Sequence, residues 1–531
     1  MPIAKILLRS RRSIALIALA LLPACRDAVP PLPRTFVIQG DSAPLLVGAS
    51  RTFTAGAPVA WSVNGIAGGS AEAGVIDAAG RYRAPLTLPS AEPVLISAVN
   101  AATGAADTIR VPLTPAPLEG DWYSYQPRAI RVDRTGPVVL TVHAPPGVTG
   151  IALTYKDGSS AAFAHRGGML YQVAIPAAKA LVGYVPGESR NHVGFIDHYE
   201  GSSRLKRVNA FVNVIDGDVE VAVPVEALAA DAQATDYVLN LRWDEHVTGS
   251  AAASIARRLY DLLPDDFDFI AMVWPINMTQ NRYFSFVRND TRGIGLTPID
   301  AGLTFGSAAR LQGTIQFPID GMFDLGAPVA SHEIGHRWIN HLKHDALRPG
   351  GAHWPIGDIA TGVMGFSIAG SGAGGTFHYR IDQIGPSEYQ LSAQAPTYRF
   401  SMLELYLMGL ATPEEVPPFY VFEDQNQGDQ VRPGGILRGG VRHLTVDSLI
   451  AVDGPRVPAA AASQRDFRMA TVVVSLGRLL SDDEMAFFDR MARRGEADVP
   501  LRYRDGFMVG TGLPFTLATG GRARLTTRLR P

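Results

Sequence analysis

Histidines 332 and 336 stand four residues apart with Glu333 beside the first, in the string Ser331-His332-Glu333-Ile334-Gly335-His336. Four residues make about one helical turn and about 6 Å of rise, so on a helix both imidazoles leave one face and converge on one cation. Glu333 then lies beside that cation rather than on it, where its carboxylate can take a proton from water. Zinc suits imidazole nitrogen and brings the pKa of a bound water from near 16 to roughly 7, so a hydroxide-like nucleophile exists at neutral pH. The flanks fit a packed helix: Val329 and Ala330 precede the motif, Ile334 and Gly335 are uncharged, and Trp338 is an apolar anchor. Arg337 departs from the usual uncharged residue after the second His.

A string of this kind also arises by chance on solvated helices. Clustering argues against that here, because six of the twelve histidines, His332, His336, His341, His344, His353 and His378, fall in one short stretch. Most of them need not be ligands; His344 and His378 read as solvated loop residues. A catalytic zinc site needs three protein ligands and an open position. His353 follows Arg348-Pro349-Gly350-Gly351, a turn able to bring the chain back over the helix, and is the expected third ligand beside His332 and His336. Glu404, on a later apolar helix, is the alternative. His341 is a weaker one, since a continued helix would point it roughly 140° away from His336. Tyr379, Tyr389, Tyr406 and His378 could donate to a tetrahedral intermediate, but aromatic core residues outnumber such donors and none enters the expected site.

The motif resembles that of zincins, the HExxH metallopeptidases, some of them secreted by bacteria. The resemblance implies a zinc-dependent endopeptidase with Glu333 as general base. It rests on a small share of the chain and leaves the clan open. A metzincin-like spacing would put a third His at position 342, which is Leu342, although Gly362-Val363-Met364-Gly365-Phe366 could supply a Met-containing turn beneath the metal; a gluzincin-like site would use Glu404. Zincins also place a strand along the cleft to pair with extended substrate, a general mode of peptide recognition.

These residues sit late in a chain of 531 residues that is 47% hydrophobic. Single cores rarely grow beyond about 250–300 residues, so several domains are expected. A net charge of −2 without a long basic run gives no surface for tracking phosphates, which excludes nucleic acid as a partner. Lys5, Arg9, Arg11 and Arg12 precede an apolar run from Ile14 to Leu22, the pattern of a secretory signal too short to span a membrane as a mature helix. Leu22-Pro23-Ala24-Cys25 resembles the lipobox of bacterial lipoproteins, despite its Pro23. That resemblance implies a lipid anchor on Cys25 and an exported protein on the outer membrane or cell surface; Arg26 supplies no inner-membrane retention signal. Cys25 is the single cysteine, so intramolecular disulfides and a cysteine-switch propeptide are excluded. Oligomeric state is not legible.

The expected organisation is a signal peptide over 1–25, a Pro-rich tether over 26–33, two all-β sandwiches over 34–115 and 116–229, and an α+β zincin-like catalytic domain over 230–531. Short alternating strands with frequent turns indicate the sandwiches. Trp61-Ser62-Val63-Asn64-Gly65, Gly74-Val75-Ile76-Asp77, Gly80-Arg81-Tyr82 and Ala84-Pro85 resemble bacterial immunoglobulin-like domains, which implies a spacer or adhesion module with Trp61 in its core. Asp197 with Glu200, and Asp216 with Asp218, read as solvated turn carboxylates rather than calcium ligands. Beyond 230, a helix over 251–263, strands over 267–274 and 311–317, strand-like 294–305, a strand at 447–450, helices over 463–480 and 482–494, and a strand pair near 515–527 are expected. The expected substrate is protein or peptide. The rival reading is a surface adhesin with a non-catalytic zinc domain, against which an intact Glu333 argues.

Overall fold

The computed structural model describes residues 36–46, 49–70, 72–85, 93–114, 123–144, 147–166, 170–186, 190–215, 223–243, 251–275, 282–308, 310–318, 328–368, 374–375, 377, 379–394, 398–493, 495–496 and 514–530. The signal segment with Cys25, the whole tether and residues Asp216, Asp218 and His378 lie outside them. Among the described residues no helix is long and apolar enough to cross a membrane. The chain is mostly β, divided among many small sheets and several separate cores.

Near the N-terminus, the strands Ala106–Val111, Val94–Asn100, Val59–Val63 and Ile66–Ala67 form one sheet, and Ser50–Thr52, Arg81–Arg83, Gly74–Ile76 and Gly69–Ser70 another. Val94, Ile96 and Ala98 are buried while Leu95 and Val99 are exposed, the period of two that gives a strand one wet face. Trp61, Phe53 and Tyr82 fill the core between the sheets. A second β unit follows, with Tyr123–Gln126, Val138–His143, Leu170–Ile175 and Ala164–His165 in one sheet. Ile130–Arg131, Ser203–Ile215, Arg190–Glu200, Gly150–Tyr155 and Ser160–Ala162 form its partner. Asp197 corrects the expectation of a solvated carboxylate: it is fully buried in this sheet and receives Arg207 through two bonds of 2.6 and 2.8 Å.

The remaining chain builds one eight-stranded sheet and, among the described residues, four smaller ones of two or three strands. Strands β1 (Glu226–Ala229), β2 (Ala232–Ala234) and β3 (Val238–Trp243) form an antiparallel meander. Helix α1 (Ala251–Leu262) leads to β4 (Phe269–Val273), then come β5 (Tyr283–Phe286) and β6 (Gly313–Phe317). Helices α2 (Pro328–Gly335), α3 (Met402–Met408) and α4 (Val446–Asp453) precede β7 (Asp466–Leu476), α5 (Asp482–Arg493) and β8 (Arg524–Thr526). The spatial order is β1-β2-β3-β7-β4-β6-β5, with β8 beside the start of β7. Strands β3, β7, β4 and β6 run parallel; β5 closes the edge antiparallel to β6. Alternation in β4 serves two cores: Ile270 and Met272 pack with Ile255 and Leu259 of α1, while Phe269, Ala271 and Val273 pack with Ile334 of α2 and Phe487 of α5. Parallel strands covered on both faces read as continuous apolar runs, and β7, with Thr471-Val472-Val473-Val474, is one.

That run corrects the helix expected over 463–480: β7 is a buried strand, and its β-branched residues suit a pleated surface. The strand expected at 447–450 is instead part of α4, started by the Thr445 hydroxyl accepting the Ser448 N–H. Within the span 294–305 the structure holds only the short strand Ile299–Asp300 and a 3-10 turn over Gly302–Phe305. The expected terminal strand pair is a helical turn, Phe515–Ala518, followed by β8.

Candidate metal centre

Helix α2 is held against the sheet from its apolar side. Ile334 is fully buried, and Trp338, just past the helix, meets Phe467 and Phe269 edge-on at ring distances of 5.6 and 6.2 Å. Each such aromatic pair contributes about 0.5–1.5 kcal/mol beyond its buried area. A Cβ on Gly335 would lie 2.6 Å from Met364 Sδ, so the thioether packs directly under the helix where only hydrogen fits. His336 N donates to His332 O at 3.3 Å, which keeps both imidazoles on one face; their ring centres are 4.8 Å apart. The turn then tightens through Arg337 N to Ile334 O, and Asn340 at φ 72° reverses the chain in the left-handed region that Asn tolerates.

Chain reversal delivers His353. Its N–H donates to Gly350 O at 3.1 Å, and Asn340 Nδ2 ties the end of the metal helix to Ala352 O at 2.7 Å. Trp354 N to Gly365 O and Ser367 N to Trp354 O pair this segment with the stretch 365–367. His353 Nε2 comes to rest 3.1 Å from His332 Nε2, and ligand atoms of His332, His336 and His353 all lie within 4.8 Å of one another. Among the described residues this is the one group of three or more His, Cys, Asp or Glu able to hold a metal ion. Glu333 is buried at the same helix.

The outer ring nitrogens decide which atoms face inward. Val363 O lies 2.9 Å from His332 Nδ1 and can only accept, so Nδ1 carries the proton and Nε2 of the neutral ring presents a lone pair. Ser367 Oγ is 2.7 Å from His353 Nδ1. Burial, the largest cause, brings the His332 pKa down to about 4, with His353 adding to it, and lowers His353 as well. His336 is held well below its ordinary value by burial and then by the neighbouring imidazoles. Three neutral imidazoles with converging nitrogens are the donor set a borderline cation such as zinc takes, and two ligands at about 2.05 Å in tetrahedral array stand about 3.3 Å apart. The donor set therefore fits zinc, although imidazole also suits copper, iron and nickel.

Glu404 lies elsewhere. It is fully buried and accepts Trp354 Nε1 at 2.9 Å, Met364 N at 3.2 Å and Ser401 N at 2.7 Å. It thus fastens the two segments bearing His353 and Met364 to the start of α3. His341 turns its Nε2 back to His336 O at 2.8 Å and stacks edge-on with Phe286, away from the cluster. His344 is buried, with Nδ1 facing Ala346 N, not solvated as a loop residue would be. Tyr406 is a core residue whose hydroxyl accepts Arg456 N, and Tyr389 meets Phe422 edge-on. Val363, Ser367 and Asn340 are the positioning residues that motif reading misses; Asn340 leaves the one signal, a residue tolerant of positive φ where the helix must stop.

No protein-family model matches the chain, and no curated protein matches it in sequence. Among solved structures, the surface layer protein SbsC, domains 4–9, matches at 15% identity over 41% of this chain and 35% of that one, with a TM-score of 0.16. A similarity that low carries no argument about fold or activity.

Proposed function

We propose that the protein is a zinc-dependent endopeptidase of the zincin type, its catalytic unit the α+β region from about residue 230 onward, acting on extracytoplasmic proteins or peptides. One observation carries the reading: three neutral imidazoles, two from one helix turn and one from a returning loop, converge within reach of one cation, with Glu333 buried on the same helix. Zinc, when bound there, supplies a Lewis acid and acidifies water to a pKa of about 7. The chain's own part is proton handling and positioning. Glu333 takes a proton from the attacking water and returns it to the leaving amine. Strand β5 pairs with β6 on one side only among the described residues, and α2 packs against both, so an extended peptide pairing with that open edge would join the sheet that carries the metal helix. The apolar N-terminal run and Cys25 support export with a lipid anchor, the two β units then acting as spacers.

The test is mass-spectrometric detection of products from a diverse peptide mixture, with the zinc-loaded chain beside Glu333→Ala. Cleavage lost in the variant, with zinc content unchanged, is the expected result. A folded, zinc-loaded wild-type chain that cleaves nothing in the mixture or in unfolded protein would overturn the reading and favour a binding protein.

A further inference from the structure

Arg337, just past the metal helix and the residue that breaks the motif's preference, faces a cavity of about 320 Å³ that none of the three imidazoles lines. The cavity lies at the starts of β4, β6 and β7, where Asp268, Gln312 and Gln464 stand. Two buried guanidiniums reach it. The Arg337 side chain is 2% exposed; Nε donates to Gln312 Oε1 at 3.1 Å and Nη1 to Asn289 Oδ1 at 2.7 Å. Its Nη2 has the Asp290 carboxylate at 3.6 Å, beyond hydrogen-bond length, and Asp290 is itself 85% exposed. Arg456 bonds Leu407 O and Met408 O at the end of α3 and Ser463 Oγ; among the described residues no carboxylate pairs with it.

Buried charge of this kind is costly without a counter-ion. Asp268 does not serve, because Arg310, Gln312, Gln464 and the Arg468 N–H already saturate it. Burial, the largest cause, lowers both guanidinium pKa values to about 10, with Asp290 opposing it in each case, so both stay charged at neutral pH. Trp338, over whose ring Arg337 lies at 5.4 Å, and Phe467 supply an apolar stretch of a wall that is otherwise largely polar, with Thr291, Ser463, Arg288 and Arg310. We propose that this cavity is a binding site for a small organic monocarboxylate, its carboxylate on Arg337 Nη2 in place of Asp290 and its body against Trp338 and Phe467. A planar guanidinium matches a carboxylate, the volume is that of a small-ligand pocket, and the apolar stretch beside Arg337 suits an organic body rather than an inorganic anion. The carboxylate's source is a free acid or the C-terminus of a peptide.

The experiment is a titration of the full chain with sodium propionate, benzoate and a dipeptide in free and C-terminally amidated forms, followed by calorimetry, with chloride and inorganic phosphate as comparisons. At least one carboxylate should bind saturably and better than chloride or phosphate. Asp290→Asn, at an exposed position, should tighten that binding about threefold by removing the competing charge. Arg337→Met, checked for folding by circular dichroism, should abolish it. Benzoate binding without the dipeptide identifies a free acid; dipeptide binding lost on amidation identifies a peptide terminus. No carboxylate binding by wild type and Asp290→Asn, equal binding of chloride or phosphate, or unchanged binding in a folded Arg337→Met would each overturn the proposal. Should Arg337→Met fail to fold, the Asp290→Asn comparison decides, and unchanged or weaker binding there overturns it.

Discussion

His332 Nε2 and His353 Nε2 point at each other across 3.1 Å, although 21 residues separate them in the chain. With Nδ1 of His332 committed to a carbonyl, its Nε2 lone pair needs a proton or a cation in front of it. His353→Ala should therefore lower zinc affinity at least about 100-fold, and Ser367→Ala, which frees the ring, about 10–100-fold. Competition against a chromogenic chelator measures both; wild-type affinity in His353→Ala would remove it from the ligand set.

Glu404 holds this arrangement from beneath. Its carboxylate has three donors in a fully buried site, and a Cβ on Gly362 would lie 2.0 Å from its Oε2. Leaving Trp354 Nε1 and two backbone N–H groups orphaned costs about 2–4 kcal/mol. Glu404→Ala is expected to unfold at lower urea by that amount and to bind zinc more weakly, and Gly362→Ala to do likewise through the clash. If Glu404→Ala bound no zinc but kept full stability in the chelated state, Glu404 would be a ligand after all.

Local chemistry was legible in the sequence, and the turn at Arg348-Pro349-Gly350-Gly351 pointed to His353; the pairings that hold His353 in place were not. His332, Glu333 and His336 share one helical turn, so spacing alone places them together. His353 depends on Trp354 pairing with residues 365–367, and Glu404 on a fit around Gly362. Neither has a periodic signal. Strand β7 was unreadable for a different reason: buried on both faces, it lacks the alternation that separates strand from helix, and only the β-branched Thr471-Val472-Val473-Val474 argues for it.

His198 makes stability depend on pH outside the metal centre. It is buried in the second β unit, its Nδ1 has no partner among the described residues, and burial, then the charge of Lys206, holds its pKa to about 4 against the opposing pull of Asp197. The unfolded chain takes the proton near pH 6.5, so stability is complete above that pH and falls as pH drops toward 4, by about 3 kcal/mol at the limit. His198→Phe removes that slope. Urea unfolding at pH 7 and 4.5, with chelator in both, should show a smaller loss for the variant; equal losses would place the acid sensitivity elsewhere.

Arg128 joins the second β unit to the large sheet. Its side chain is buried, Nη1 donates to Val474 O at 2.7 Å and Nη2 to Trp274 O at 2.6 Å, at the C-terminal ends of β7 and β4, and its backbone N–H donates to Glu484. Glu484 keeps Arg478 as a partner, so the substitution strands no carboxylate. Arg128→Met leaves the two strand-end carbonyls buried without donors, a cost of about 2–4 kcal/mol borne at the junction and not inside either core. Calorimetry should then separate one unfolding transition into two, with the metal-bearing unit melting on its own. A single transition at the wild-type temperature would mean that Ala129 and Ile215, which pack into the large core from the same side, suffice to couple the units without the guanidinium.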